Sequence, residues 1–367
     1  MAVFEAPDFD GHEHVAFAHD KESGLKAIVA IHNTHLGPSL GGCRMFPYAS
    51  DDDALRDVLR LSRGMSYKSA LAGLPLGGGK SVIIGNPQTD KSPQLFQAMG
   101  AFVEKLVGQY IVAQDAGISV EDLQHVAQKT QHVAGVENAI DDHQRVRSGD
   151  PSPATAYGVF VGIKAAVKHR FNTENLNGIR VAIQGVGNVG FALAKHLHAE
   201  GAKLFVSDVN PANVKRAVDV CDAVAVSNDE IAGLDVDVYA PCALGGAINA
   251  NTINIITAPV IAGCANNQLD EKIFAETLRQ KNILYAPDYV INAGGVIHVH
   301  YMRTKRTWEE STAHVENIAH TLEEIFVRAD KEGKATDTVA NIIAEERLYG
   351  AAVLSADVVA QRVNVGG

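Results

Sequence analysis

The stretch IRVAIQGVGNVG, residues 179–190, constrains the fold of this chain more than any other. A short apolar run rich in β-branched residues enters glycines spaced Gly185, Gly187 and Gly190, and a helical pattern then runs from 188 to 200, where Gly201 stops it. Alone, a GxGxxG is a weak signal and fits a ligand-free glycine turn. Between a strand and a helix it aims the backbone amides of Val186, Asn188 and Val189 and a helix N-terminus at one point, where a pyrophosphate is held. Gly185 permits the tight turn, Gly187 the approach of phosphate, and Gly190 close packing of helix on strand. Asp208 ends the next apolar run, KLFVSD, 23 positions after Gly185, where a carboxylate accepts hydrogen bonds from the adenosine ribose. No Lys or Arg follows until Lys215, so nothing is expected beside Asp208 to neutralise a 2′-phosphate. The reading is a dinucleotide site that takes NAD.

The same alternation continues through VDVYA, PVIAG and ILYAPD, which predicts a mostly parallel, helix-covered sheet. The N-terminal part is also α/β. LKAIVAIH (25–32), SVIIG (81–85) and YIVA (110–113) read as strands. Ser50 with Asp53 opens a helix carrying Leu55, Val58 and Leu59 and ending near Gly64 to Lys68, and Ser119 with Asp122 opens another. Polar, aperiodic residues 137–152 read as a loop, behind which Ser152 caps a helix with Pro153 in its first turn. Residues 308–334 and 338–352 are helical in pattern. At about 150 residues per domain, 367 residues make two or three. We expect an α/β fold of two domains: 1–150, joined by C-terminal helices of about 331–367, and a Rossmann-type domain over 151–330.

Composition narrows the function. A net charge of −11 without a basic block lacks the electrostatic footprint of a nucleic-acid binder. No apolar run is long enough to cross a bilayer, and the acidic N-terminus resembles no leader, so a cytoplasmic enzyme of small molecules is expected. Cys43, Cys221, Cys242 and Cys264 form no CxxC unit and are expected to be buried thiols. Of three His-x-His pairs, His196/His198 lies in a helical pattern that splays the rings. His12/His14 and His298/His300 could share a face if extended but lack a third ligand, so no metal is expected.

A second constellation lies in GMSYKSALAGLPLGGGKS, where Lys68 and Lys80 stand twelve positions apart. It is no Walker A motif, because Leu74 occupies the position that requires glycine. Three glycines before Lys80 suggest backbone approaching a substrate, and a lysine in a dry site beside another cation can act as a base near neutral pH. Exposed lysines at a glycine turn are the competing explanation. Asp115 in VAQDAG falls just past a strand, where sites of α/β proteins gather.

At these residues the chain resembles the Glu/Leu/Phe/Val amino-acid dehydrogenase family, on the side of its leucine-using members. The resemblance runs through DKESGLKAIVAIHNT, LGPSLGGCRM, RGMSYK, GLPLGGGKSVIIG, GDPSPATAYGV, VAIQGVGNVG, APCALGGAIN and APDYVINAGGVI. It implies a first domain that binds the amino acid and supports a homo-oligomer, such as an octamer, a second that binds NAD, and an active site in the cleft between them. It also implies Lys80 as general acid/base, Lys68 on the α-carboxylate, Asp115 in proton relay at the α-amine, and Gly41 and Gly42 lining the site. Asn267, with Asn266 beside it, falls near the carboxylate or nicotinamide. Glutamate-using members carry a lysine where this chain has Leu40, so Leu40, Ala113, Val290 and Val296 imply an apolar pocket for leucine, valine or isoleucine, with aromatic substrates as the rival. Gln114 departs from the family, which often has Glu there, as do the charged residues 141–150 and the HVHYMRTKR segment. A non-catalytic NAD-binding regulator is the reading from another functional class.

Overall fold

The computed structural model describes residues 2–136, 139–140, 146–147 and 150–350. Most of the loop expected over 137–152 and the chain from 351 onward lie outside these described residues. Two units result, one drawn from Met1–Gly149, Met302–Lys305 and Ala344–Gly367, the other from Asp150–Tyr301 and Arg306–Ile343.

The first unit contains β1 (His14–Asp20), β2 (Leu25–Asn33), β3 (Ser39–Phe46), α1 (Asp51–Leu71), β4 (Gly77–Ile84), α2 (Pro93–Glu104), β5 (Tyr110–Gln114) and α3 (Val120–Ala127). Its sheet runs β1-β2-β4-β3-β5; β2 is antiparallel to both neighbours, whereas β3 is parallel to β4 and β5. Alternation along β2 explains why both faces are covered. Leu25, Ala27, Val29 and Ile31 pack with Phe96 and Met99 of α2 and Leu123 of α3, while Ile28 and Ala30 pack with Leu55, Val58 and Leu59 of α1. A backbone hairpin of β6 (Ala139–Ile140) and β7 (Val146–Arg147) follows.

Helix α1 starts as expected, the Ser50 hydroxyl accepting the Asp53 N–H at 3.1 Å with three aspartates in the positive first turn. It does not stop at Gly64. A mid-helix glycine costs only about 1 kcal/mol, and the buried stripe continues through Ser66, Tyr67, Ala70 and Leu71. Lys68 therefore sits in the last turn of a helix. The chain then turns at Gly73, whose φ of 65° is left-handed.

The second unit contains α4 (Ser152–Phe171), β8 (Arg180–Gln184), α5 (Asn188–Ala199), β9 (Lys203–Ser207), α6 (Pro211–Cys221), β10 (Val224–Ala225), β11 (Val238–Pro241), β12 (Val260–Ile261), α7 (Ile273–Gln280), β13 (Leu284–Tyr285), α8 (Asp288–Ile291), α9 (Gly294–Arg303) and α10 (Trp308–Glu332). All six strands are parallel in the order β10-β9-β8-β11-β12-β13. Counting from β8, this is 3-2-1-4-5-6, the doubly wound arrangement whose order reverses beside its first strand. Helix α4 begins one residue earlier than expected, because the Asp150 carboxylate takes the Ser152 N–H at 2.9 Å and puts Pro151 in the cap.

The C-terminal helices divide differently from the sequence expectation. Residues 306–343 stay with the second unit, because Gly158 and Gly162 of α4 leave room for Ile318 and Leu322 of α10; an added Cβ would stand 2.8 and 3.0 Å from their methyls. Helix α11 (Thr336–Tyr349) rejoins the first unit only from Ala344, where Arg347 donates to the Ala70 and Leu71 carbonyls at the end of α1.

His298 and His300 lie on α9 and not on extended chain, so a spacing of two turns the rings apart. His12 is buried, its Nε2 at 3.0 Å from both the Leu59 carbonyl and the Ser62 hydroxyl. Among the described residues no three His, Cys, Asp or Glu side chains are grouped to hold a metal, and no helix is long and apolar enough to cross a membrane. Cys43 and Cys221 are buried as expected, whereas Cys242 and Cys264 are only partly buried.

Burial, followed by the neighbouring His32, pushes the His12 imidazole down to about 4. The unfolded chain binds this proton near pH 6.5, so the stability conferred by neutral His12 is complete above that pH and lost as pH falls toward 4. The loss should reach about 3 kcal/mol. Urea unfolding midpoints from pH 7 to 4 should fall less steeply in His12→Gln than in the parent; identical slopes would contradict the assignment.

Candidate active site

Strand register assembles the site in the first unit. Leu40 pairs with Gly78 of β4 and Ile111 of β5, and Gly42 pairs with Ala113. Because side chains alternate, Leu40, Gly42 and Arg44 of β3, Lys80 of β4 and Ala113 of β5 share the face covered by α1, to which Val82 also contributes. Asp115, two residues past Ala113, completes the group. Lys80 Nζ stands 3.0 Å from Asp115 Oδ2, and Lys80 is only 5% exposed. That burial rules out a solvated lysine at a glycine turn. The charge in contact with Lys80 is an anion, whereas sequence reasoning expected a cation. Lys68 is half-buried in the last turn of α1.

The glycines have a different purpose from the one expected. Gly77, Gly78 and Gly79 lie inside β4, and protein already occupies the space their Cβ atoms would take: the Asn33 carbonyl at 1.9 Å, the Ser66 amide at 2.0 Å and the Tyr110 ring at 2.7 Å. They let strand and helix backbones close on each other, not a substrate. Gly41 likewise admits the Gly79 carbonyl, and Gly42 admits Asp115, whose Cβ would be 2.6 Å from an added methyl.

Sequence reasoning missed Arg44. Its Nε donates to Asp115 Oδ2 at 2.8 Å and its terminal nitrogen to Asp57 Oδ2 at 2.9 Å, and the Tyr48 hydroxyl donates to the same Asp57 oxygen at 2.7 Å. Burial alone raises the Asp115 carboxyl, but the Lys80 and Arg44 charges outweigh it and hold the group below its ordinary value. Asp115 is thus an anion clamped between two cations. The available signal was a charged residue two positions beyond Gly42, on the same face of a strand.

In the second unit Gly185 has φ 96° and donates its N–H to the Ser207 carbonyl at 2.8 Å. A Cβ on Gly190 would stand 2.0 Å from the Gly185 carbonyl, whereas one on Gly187 would meet nothing within 4 Å. Close packing at the first and third glycines and open space at the second, ahead of α5, fit a bound pyrophosphate. Asp208 accepts the Val186 N–H through Oδ2 and the Asn210 N–H through Oδ1, both at 2.8 Å, and each oxygen keeps a further acceptor position. Counting to Lys215 overlooked its neighbour. Lys215 turns to Asp219 at 2.5 Å, while Arg216 donates to the Val186 carbonyl at 3.2 Å with its guanidinium 4.0 Å over the Phe191 ring. A cation therefore does stand by this turn.

Asn267 is exposed and left-handed at φ 52°, its carbonyl accepting the Gly246 N–H at 2.8 Å, and Asn266 Oδ1 accepts from Asn292 at 2.7 Å. Val290 of α8 is buried and Val296 of α9 half-buried. Leu40, Gly41, Gly42, Lys68, Lys80, Ala113 and Asp115 thus belong to one unit, and Asn267, Val290, Val296 and the dinucleotide turn to the other.

Comparison with known proteins adds independent findings. Residues 12–132 match the Glu/Leu/Phe/Val dehydrogenase dimerisation domain, and 148–216 and 208–364 match the Glutamate/Leucine/Phenylalanine/Valine dehydrogenase domain. Leucine dehydrogenase of Bacillus cereus is 49% identical over 348 residues, covering 95% of this chain and 94% of that one. L-Tryptophan dehydrogenase of Nostoc punctiforme is 47% identical over 349 residues, covering 95% and 96%. The crystal structure of L-tryptophan dehydrogenase from Nostoc punctiforme superposes with a TM-score of 0.82 at 45% identity, covering 92% of this chain and 96% of that one.

Proposed function

Because this chain belongs to the Glu/Leu/Phe/Val dehydrogenase family and is thereby an amino acid dehydrogenase, we propose that it catalyses the reversible NAD-dependent oxidative deamination of leucine, valine or isoleucine to the 2-oxo acid and ammonia. The observation that carries this reading is the buried 3.0 Å contact between Lys80 and Asp115 on a face that also carries Arg44 and the apolar Leu40 and Ala113. A protein that only sensed the nucleotide would need the turn at Gly185 and no such pair.

When bound, the nicotinamide supplies the hydride acceptor for the α-carbon. Lys68 pairs with the substrate α-carboxylate. The Asp115 carboxylate, held anionic by Arg44 and Lys80, takes part in proton transfer at the α-amine. The Lys80 ammonium first hands a proton to Asp115, 3.0 Å away, and the resulting amine accepts the proton of the water that adds to the iminium carbon and returns it as the carbinolamine releases ammonia. Gly41 and Gly42 line the site, Asn267 is assigned to the carboxylate or nicotinamide, and Val290 and Val296 are assigned as further apolar substrate contacts. Gly187, Asn188 and Val189 would face the pyrophosphate, with Gly190 packing the helix behind them. Gly185 and Val186, whose N–H groups go to Ser207 and Asp208, shape the turn and do not present amides to the phosphate, contrary to the expectation for Val186. Asp208 would bind the adenosine ribose and so favour NAD. The match to a dimerisation domain supports a homo-oligomer.

A second reading, an aromatic amino acid, is favoured by the 47% identity to L-tryptophan dehydrogenase and by the small Ala113. Leucine added with NAD should yield NADH and ammonia in equal amounts. NAD binding with no turnover of any L-amino acid would replace the proposal with a non-catalytic regulator.

A further inference from the structure

Two partly buried thiols stand just past the ends of adjacent strands in the second unit. Strand β11 pairs Val238 with Val260 and Tyr239 with Ile261 of β12. Beyond these pairs the Ala265 N–H donates to the Pro241 carbonyl at 3.0 Å, which brings Cys264 beside Cys242. Neighbouring strands lie about 4.8 Å apart, within the Cα separation of about 4.4–6.8 Å that a disulfide requires. The contacts agree: the Cys264 N–H reaches Cys242 Sγ at 3.5 Å, and Cys264 Sγ reaches the Cys242 carbonyl at 3.7 Å. Both cysteines are free.

The pair adjoins the dinucleotide turn. The Cys242 N–H donates to the Gln184 carbonyl at 2.7 Å, and Cys242 Cβ would be 3.4 Å from a methyl on Gly190. The next residue, Ala243, packs under Gly185, whose added Cβ would meet the Ala243 amide at 2.8 Å. The Cys264 carbonyl is held by Asn292 at 3.1 Å, and two residues later come Asn266 and Asn267. These segments form the carboxyl ends of β8, β11 and β12, where an open α/β sheet binds its ligand.

We propose that Cys242 and Cys264 are an oxidisable dithiol site, which small-molecule disulfides convert to an intramolecular disulfide that weakens dinucleotide binding. The binding half of this inference rests on the reading of this unit as the NAD site. In the first step the Cys242 thiolate attacks a sulfur of the small disulfide, breaking its S–S bond and releasing one thiolate. In the second the Cys264 thiolate attacks the Cys242 sulfur, forming the protein disulfide and releasing the other. Two cysteines are oxidised and one small disulfide is reduced to two thiols, which take up the two cysteine protons. The hydrogen bond with Cys242, followed by burial, raises the Cys264 thiol and disfavours it as the first attacking group. Closing the S–S bond replaces the contacts that Cys264 N–H and Sγ now make with Cys242. The covalent bridge ties the Cys242–Ala243 segment, packed against Gly190 and Gly185, to the segment leading into Asn266 and Asn267, and fixes the floor of the nucleotide site.

The test treats the fully reduced protein with glutathione disulfide, alkylates the remaining thiols, maps the linked peptides and titrates NADH by fluorescence before and after. The expected result is a single Cys242–Cys264 link, two thiols left of four, NADH affinity reduced at least 10-fold and restored by dithiothreitol, and slower oxidation when NADH is present. Untreated Cys264→Ser should bind NADH as the reduced parent does, and with glutathione disulfide it should form no protein disulfide, stopping at a Cys242–glutathione mixed disulfide. Retention of all four thiols, or a link between other cysteines, would overturn the dithiol site. An oxidised protein that binds NADH as tightly as the reduced one would overturn its effect on binding. Reduced protein that fails to bind NADH would overturn the nucleotide reading itself, and the peptide map would still decide the dithiol.

Discussion

Replacing Lys80 by alanine should lower kcat for leucine by about 10²- to 10⁴-fold, the usual worth of a positioned acid or base, while the dissociation constant for NADH stays nearly unchanged. The two observables separate because Lys80 lies in the first unit and the dinucleotide turn in the second. Truncation also leaves Asp115 with Arg44 as its remaining cationic partner at 2.8 Å, so the carboxylate keeps a counter-charge and the first unit should remain folded. Circular dichroism and the NADH titration check that the variant is intact. Turnover within a few-fold of the parent would remove Lys80 from the chemistry.

Asp208→Ser should weaken NADH by about 10- to 150-fold, corresponding to about 1.5–3 kcal/mol for a hydrogen bond to a charged group, and should narrow the preference over NADPH. The structure complicates this position, since Asp208 also accepts the Val186 N–H at 2.8 Å and so supports the turn itself. Asp208→Asn separates the two roles: it keeps an acceptor for Val186 but loses the charge that repels a 2′-phosphate. If Asp208 reads the ribose, the asparagine variant gains relative affinity for NADPH, aided by Arg216 beside the turn. A parent protein that already prefers NADPH would contradict the assignment.

What was legible in the sequence was what local chemistry determines. The dinucleotide turn needs a strand, three glycines and a helix in one short run, so twelve residues announced it. Helix starts at Ser50 and Ser119 were equally readable, because a cap closes on a backbone amide three residues away. The end of α1 was misjudged because tertiary burial of Tyr67, Ala70 and Leu71 outweighs the propensity cost of Gly64. Lys80 and Asp115 were found through motifs, but the reason they meet is register, with β3 between β4 and β5. Arg44 escaped notice because its partner is 71 residues distant. Arg216 escaped because distance along a chain is a poor measure of distance once α6 has turned. The glycines before Lys80 were misread for the same reason, since the Asn33, Ser66 and Tyr110 atoms that fill their space come from three other elements. The Cys242–Cys264 pairing becomes visible only when β11 and β12 are known to be neighbours.

The measurement closest to the central claim is kcat/KM for a panel of L-amino acids with NAD, followed by NADH absorbance at 340 nm. Each methylene buried against Leu40 and Ala113 gains about 0.8 kcal/mol, whereas an unpaired carboxylate there costs several kcal/mol. The account predicts leucine, isoleucine and valine above phenylalanine and tryptophan, with glutamate at background. An aromatic substrate in first place would overturn the choice of side chain alone, whereas glutamate turning over comparably to leucine would contradict the site described above.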